Sequence, residues 1–204
     1  MASAPTLFDQ HLDFEKESHV YRIGREVLPS VTQILEGVRI IDYSYLPPRT
    51  REMALDRGSW VHEATALDDR GELSIDPWHD WYGYIEAWRN WREHQKFDPD
   101  FIEQRDYHRQ FRYAGTKDRY HSQQRRLVDL KTNNAPWWTR IQTAAYAAFL
   151  DDPMTIRRTA VELHPDGSYS WQDFRVSDWH EDFNTFLAAL RVFREREAHS
   201  EEYR

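Results

Sequence analysis

The chain has 204 residues, a length that suits one compact domain. Apolar residues at 40% and charged residues at 30% give a globular balance, and a net charge of −8 excludes a protein coated in basic charge. With no cysteine, disulfides, iron–sulfur clusters and thiolate zinc sites are excluded too.

Residues 12–28 read as a strand pair around Gly24, with Val20, Tyr21 and Ile23 as strand formers. Ser30 and Gln33 form a capping-box pattern that opens a short helix closed by Gly37. Pro47 and Pro48 mark a loop, and a helix over 50–69 stops at Gly71. Asp76 and Pro77 suit an N-cap and first turn. After them Trp78, Trp81, Tyr82, Ile85 and Trp88 recur at helical spacing, a core stripe. The stretch 101–132 reads as short strands, one broken by Gly115, with a polar turn over 121–126. Residues 126–132 alternate strictly. An Ala-rich helix opens at Pro136 and runs to Leu150, and 155–175 form a hairpin turned at Pro165, Asp166 and Gly167. Ser177 caps a last helix carrying Phe183, Phe186, Leu187, Leu190 and Phe193 on one face, and the tail after Ala198 frays. The order predicts an α/β (α+β) domain, a mixed sheet flanked by helices.

In the alternating strand Asp129 and Lys131 share one face, while Val128 and Leu130 point to a core. If the polar turn is symmetric about Gln123 and Gln124, Tyr120 faces Leu127 and Asp118 faces Asp129. Two opposed carboxylates repel unless one keeps a proton or a cation joins them, and a divalent metal is the natural partner. The competing reading makes them sheet-face ion pairs, Asp118 with Arg119 or Arg112 and Asp129 with Lys131. Gln142 and Tyr146, four apart, share a helix face, though Gln142 also suits a surface and Tyr146 a core. His62 lies with Leu55, Ser59 and Ala66 on one side of its helix, as a hydrogen-bonded histidine or a metal ligand. Gly58, one turn earlier, suggests close approach of another backbone. Between Gln104 and Arg140 nine Lys or Arg stand against three acids. That +6 window suits an anionic substrate, or a sheet edge guarded by charge.

Five segments in order, 28–35 (LPSVTQIL), 57–63 (RGSWVHE), 113–120 (YAGTKDRY), 127–132 (LVDLKT) and 141–146 (IQTAAY), resemble the PD-(D/E)XK nucleases of the RecB-like and phage-exonuclease branch. The resemblance implies a restriction-endonuclease-like core over 50–175, preceded by an N-terminal hairpin and short helix (1–48) and followed by a C-terminal helix (177–197), all one domain. It implies that Asp118, Asp129 and the Leu130 carbonyl hold Mg2+ or Mn2+, with His62 completing the site. Lys131 would position or deprotonate the attacking water, and Gln142 and Tyr146 would steady it. Glu103 stands where related nucleases often carry an extra acid, and Glu63 is a weaker candidate. Lys117 departs from the apolar residue usual in the family and places another cation beside the site.

Arg125, Arg126 and Arg140 would hold flanking phosphates. Trp137 and Trp138 would stack on an unpaired base or anchor their helix. The expected activity is phosphodiester hydrolysis, an exonuclease acting on DNA ends in phage recombination or replication. The expected partners are DNA and a phage single-strand-annealing or recombination protein. A non-catalytic DNA- or protein-binding module, an endonuclease or repair-complex subunit, and a plain α+β domain with surface ion pairs are the alternatives. No stretch reaches the roughly 18 apolar residues of a membrane span, so the expectation is a cytoplasmic protein with no membrane partner.

Overall fold

Short apolar runs punctuated by Gly and polar turns dominate residues 12–28, and they fold as a meander. In the computed structural model, which describes residues 11–76 and 79–200, β1 (Leu12–Glu15), β2 (Val20–Ile23) and β3 (Glu26–Leu28) form an antiparallel three-stranded sheet. Gly24, at φ 59, makes the tight turn between β2 and β3. Ser30 then caps α1 (Val31–Gly37): its hydroxyl accepts from the Gln33 amide, and the Gln33 side chain accepts from the Ser30 amide.

Helix α2 (Pro48–Asp69) starts two residues earlier than the sequence suggests, because Pro48 occupies a first-turn position that needs no amide hydrogen. Helix α3 (Tyr82–Gln95) begins at Tyr82. The expected start at Pro77 and the first stripe residue, Trp78, lie outside the described residues. Lys96, in the left-handed conformation, ends α3.

The second sheet runs in the order β4 (Phe101–His108), β5 (Tyr113–His121), β6 (Arg126–Lys131), β7 (Arg157–Leu163), β8 (Tyr169–Phe174). All neighbours are antiparallel except β6 and β7. The crossover that makes this pair parallel carries α4 (Thr139–Ala147), which begins three residues after Pro136. Gly115 sits inside β5 and does not break it. Ser177 lies in a 3-10 turn and bonds Asp178 instead of capping α5 (Trp179–Ser200).

Two large apolar cores result, beside a third, smaller cluster of Tyr21, Ile23, Leu28 and Ala114. One joins α1, α4 and α5 through Ile34, Tyr113, Leu127, Ile141, Phe186 and Leu190. The other puts Trp88 and Trp91 of α3 against Val128, Leu130 and Val161. Of the expected stripe, Ile85 and Trp88 are buried and Trp81 packs against the core, whereas Tyr82 is only half-buried; Val128 and Leu130 point inward as expected. No helix among the described residues is long and apolar enough to cross a membrane.

Candidate metal centre beside Lys131

The turn between β5 and β6 pairs Tyr120 with Leu127 and Arg119 with Val128, the symmetric register expected from the sequence. Continued by one pair, it sets Asp118 opposite Asp129. The ladder stops short of that pair, because the Asp118 carboxylate accepts from the Leu130 amide (2.7 Å). On the other side, the β4–β5 ladder pairs Ile102 with Arg119 and Gln104 with Lys117, so Glu103 falls level with Asp118. Glu103 has φ 51, a left-handed conformation costly for a residue with a Cβ. Side-chain alternation breaks at the same level. Lys117 lies over Phe149 in the α4-side core, whereas Arg119 reaches Thr65 and Asp69 of α2. Regular strands would send 117 and 119 the same way. This step in β4 and β5 brings Glu103 of β4 and Asp118 of β5 to the level of Asp129 on β6.

His62 closes the group from α2. Its Nδ1 lies 3.5 Å from Glu103 Oε1 and 3.5 Å from Asp118 Oδ1. Arg119 fixes Glu103 with a 2.8 Å hydrogen bond and is itself held by Asp69 and by the Thr65 hydroxyl at 2.9 Å. Sequence reasoning missed Asp69 and Thr65, although His62, Thr65 and Asp69 stand at helical spacing on one face of α2. Glu63 turns away and pairs with Lys16 at 3.4 Å.

Lys131 is suspended between two partners. Its Nζ is 2.7 Å from Asp129 Oδ2 and donates to Gln142 Oε1 at 3.0 Å. Gln142 Nε2 in turn donates to the Tyr146 hydroxyl at 3.2 Å. Both are buried on α4, and the ring of Tyr146 lies against Gly115, where an added Cβ would come within 2.7 Å of Cε1. Gly115 is thus a strand glycine set by close packing. Gly58 is not: a Cβ there meets nothing within 4 Å, so the expected close approach is absent.

Burial opposes charge throughout this group, and the partners decide the outcome. At His62, burial lowers the pKa, but the Asp118 and Glu103 carboxylates override it and lift it to about 9. Burial lifts Asp118 to about 7 despite His62, with Asp129 and Glu103 adding repulsion. Lys131 is raised: burial disfavours its charge, and Asp129 and Asp118 more than restore it. Glu103 is lowered, because His62 and Arg119 outweigh its burial.

These residues fit a divalent cation. One ligand atom from each of His62, Glu103 and Asp118 lies within 4.8 Å of the others. Asp129 Oδ2 is buried with no hydrogen-bond partner among the described residues, and the Lys131 ammonium lies 2.7 Å from it. Three carboxylates and one imidazole are a hard, oxygen-rich set of the kind that suits magnesium or manganese.

The basic window is spent largely inside the protein. Lys117 is buried on Asp106 at 3.0 Å. Arg126 is buried over Trp91 and bonds Thr159 and Gln95. Arg112 pairs with Glu26 and Arg140 with Asp182, and Arg125 bonds Thr155 and the carbonyl of Asp151. Lys117 and Arg126 are therefore shielded from any phosphate, a correction the sequence could not reveal because their partners lie in other elements. Trp138 is likewise a core anchor at the start of α4, 5.2 Å under Lys131, whereas Trp137 is exposed. Compared with protein-family models and with curated proteins, the chain matches none.

Proposed function

We propose that the protein is a magnesium- or manganese-dependent deoxyribonuclease with a restriction-endonuclease-like core, acting on DNA ends as an exonuclease. The observation that carries this reading is the convergence of His62, Glu103 and Asp118, whose ligand atoms lie within 4.8 Å of one another, with Asp129 close enough to repel the Asp118 charge and a lysine two positions beyond Asp129. A bound divalent ion supplies charge for a phosphate oxygen and lowers the pKa of water.

The chain's own residues do the rest. Asp118, Asp129, Glu103 and His62 would hold the ion, and Arg119 keeps Glu103 in place for it. Lys131 puts positive charge where a phosphate gains negative charge in the transition state. The Gln142–Tyr146 pair holds that ammonium by a contact that does not depend on Asp129, so Asp129 would be available as a ligand.

The test is a product ladder on linear and circular double-stranded DNA with Mg2+. The reading predicts shortening of linear DNA only, lost by at least about a hundredfold in Asp129→Ala and Lys131→Ala. Wild-type rates in both variants would refute the mechanism.

A further inference from the structure

The Lys131 side chain also opens onto a groove of about 680 Å³, within the roughly 300–1,000 Å³ of small-ligand sites. Tyr43, Tyr45, Met53, Leu55, Arg57 and Asn133 are among the side chains lining it. In a chain of net charge −8, this lining includes two cations and no acid. The larger groove between α1 and α5, about 860 Å³, carries Glu26, Glu36 and Glu197 and lacks that bias. Arg57 lines the groove, and its Nε is buried without a hydrogen-bond partner among the described residues. Tyr45, Met53 and Leu55 leave large apolar surfaces in water, with Tyr45 76% exposed. A patch of that kind, rimmed by polar groups, marks a contact surface.

We infer that this groove seats an unpaired stretch of DNA strand at the metal centre, with bases on Tyr45 and its apolar neighbours and a phosphate on Arg57. The inference rests on the nuclease reading and narrows its substrate to a single-stranded or frayed end. Aromatic rings stack on bases whose faces are free, which a duplex offers only at its terminal pairs and an unpaired strand offers throughout. The amide of Asn133 supplies both donor and acceptor for a base edge, and Arg57 with Lys131 supplies charge for the backbone.

The experiment measures binding of a fluorescent oligothymidylate and of a blunt duplex by anisotropy in EDTA, where cleavage cannot interfere. Wild-type protein is expected to bind the single strand more tightly. Tyr45→Ala should weaken that binding at least about fivefold, and Tyr45→Phe should retain it. Arg57→Gln should weaken it and reduce the salt slope by about one. Tyr45 is exposed, so its variants keep the fold, which circular dichroism checks. Equal binding by wild type and Tyr45→Ala, or tighter binding of the duplex, overturns the inference. Cleavage measured in parallel with Mg2+ separates the two claims. Cleavage with Tyr45-independent binding removes the groove assignment alone. Tyr45-dependent binding without cleavage removes the nuclease reading and supports the groove as a DNA surface.

Discussion

Gly115→Ala should damage the site without touching a charged residue. The new methyl would lie 2.7 Å from Tyr146 Cε1, 3.3 Å from Cδ1 and 3.4 Å from Val31 Cγ2. Ordinary contact begins near 3.4 Å, so the buried ring must retreat by about 0.7 Å or the strand must move. Overpacking of this kind costs about 1–3 kcal/mol. At about 2–4 °C per kcal/mol for a chain of this size, the melting temperature should fall by about 2–12 °C. The retreat also drags the hydroxyl that holds Gln142, and Gln142 holds Lys131. Misplacing a positioned group by about 1 Å costs up to about a hundredfold in rate, so kcat should drop by about ten- to a hundredfold with little change in KM. Thermal unfolding followed by tryptophan fluorescence and the cleavage rate at saturating DNA give the two numbers. A variant that melts within a degree of wild type and cleaves equally fast would refute both the packing of Tyr146 on β5 and its role behind the lysine.

Gly58→Ala is the contrasting case. Its site in α2 is open and helical, so alanine should stabilise by about 0.5–1 kcal/mol, read as a higher melting temperature; a loss would mean an unseen contact. Arg119→Met leaves Asp69 with Arg92 and Trp88 but Glu103 without its guanidinium, and should cost about 1–3 kcal/mol in denaturant unfolding. Mn2+ affinity should rise between pH 6 and 9, with proton release seen by calorimetry in buffers of different ionisation enthalpy, because His62 at about 9 and Asp118 at about 7 must lose protons to bind. Without metal the sign is reversed for stability. Both groups bind protons more tightly folded than unfolded. The Asp118 contribution is full below its unfolded value near 3.8 and gone above about 7, and that of His62 is full below 6.5 and gone above about 9. A metal-free protein that grew more stable from pH 7 to 9 would contradict this.

Local signals carried much of the fold. The Ser30 capping box, the turn at 165–167 and the strict alternation of 126–132 depend on neighbours within a few residues, and each has its expected counterpart. The symmetric turn even set the register that pairs Tyr120 with Leu127 and, continued by one pair, puts Asp118 level with Asp129; a one-residue slip would have turned one strand's side chains to the opposite face. What stayed hidden depends on contacts distant in the chain. Gly115 reads as a strand breaker until the ring of Tyr146 is seen against it. The positive window between 104 and 140 reads as a phosphate surface until Asp106, Asp173 and Asp182 are seen to absorb much of it. Glu103 owes its place to a left-handed backbone that no residue type announces.

The account stands or falls on whether a divalent cation binds among His62, Glu103, Asp118 and Asp129. Crystals soaked in Mn2+ and measured at its absorption edge locate the ion directly. The account predicts an anomalous peak in contact with Asp118 and Asp129, with the Lys131 ammonium still on Gln142. A structure in which Lys131 keeps its ion pair with Asp129 and no peak lies in this group would contradict it.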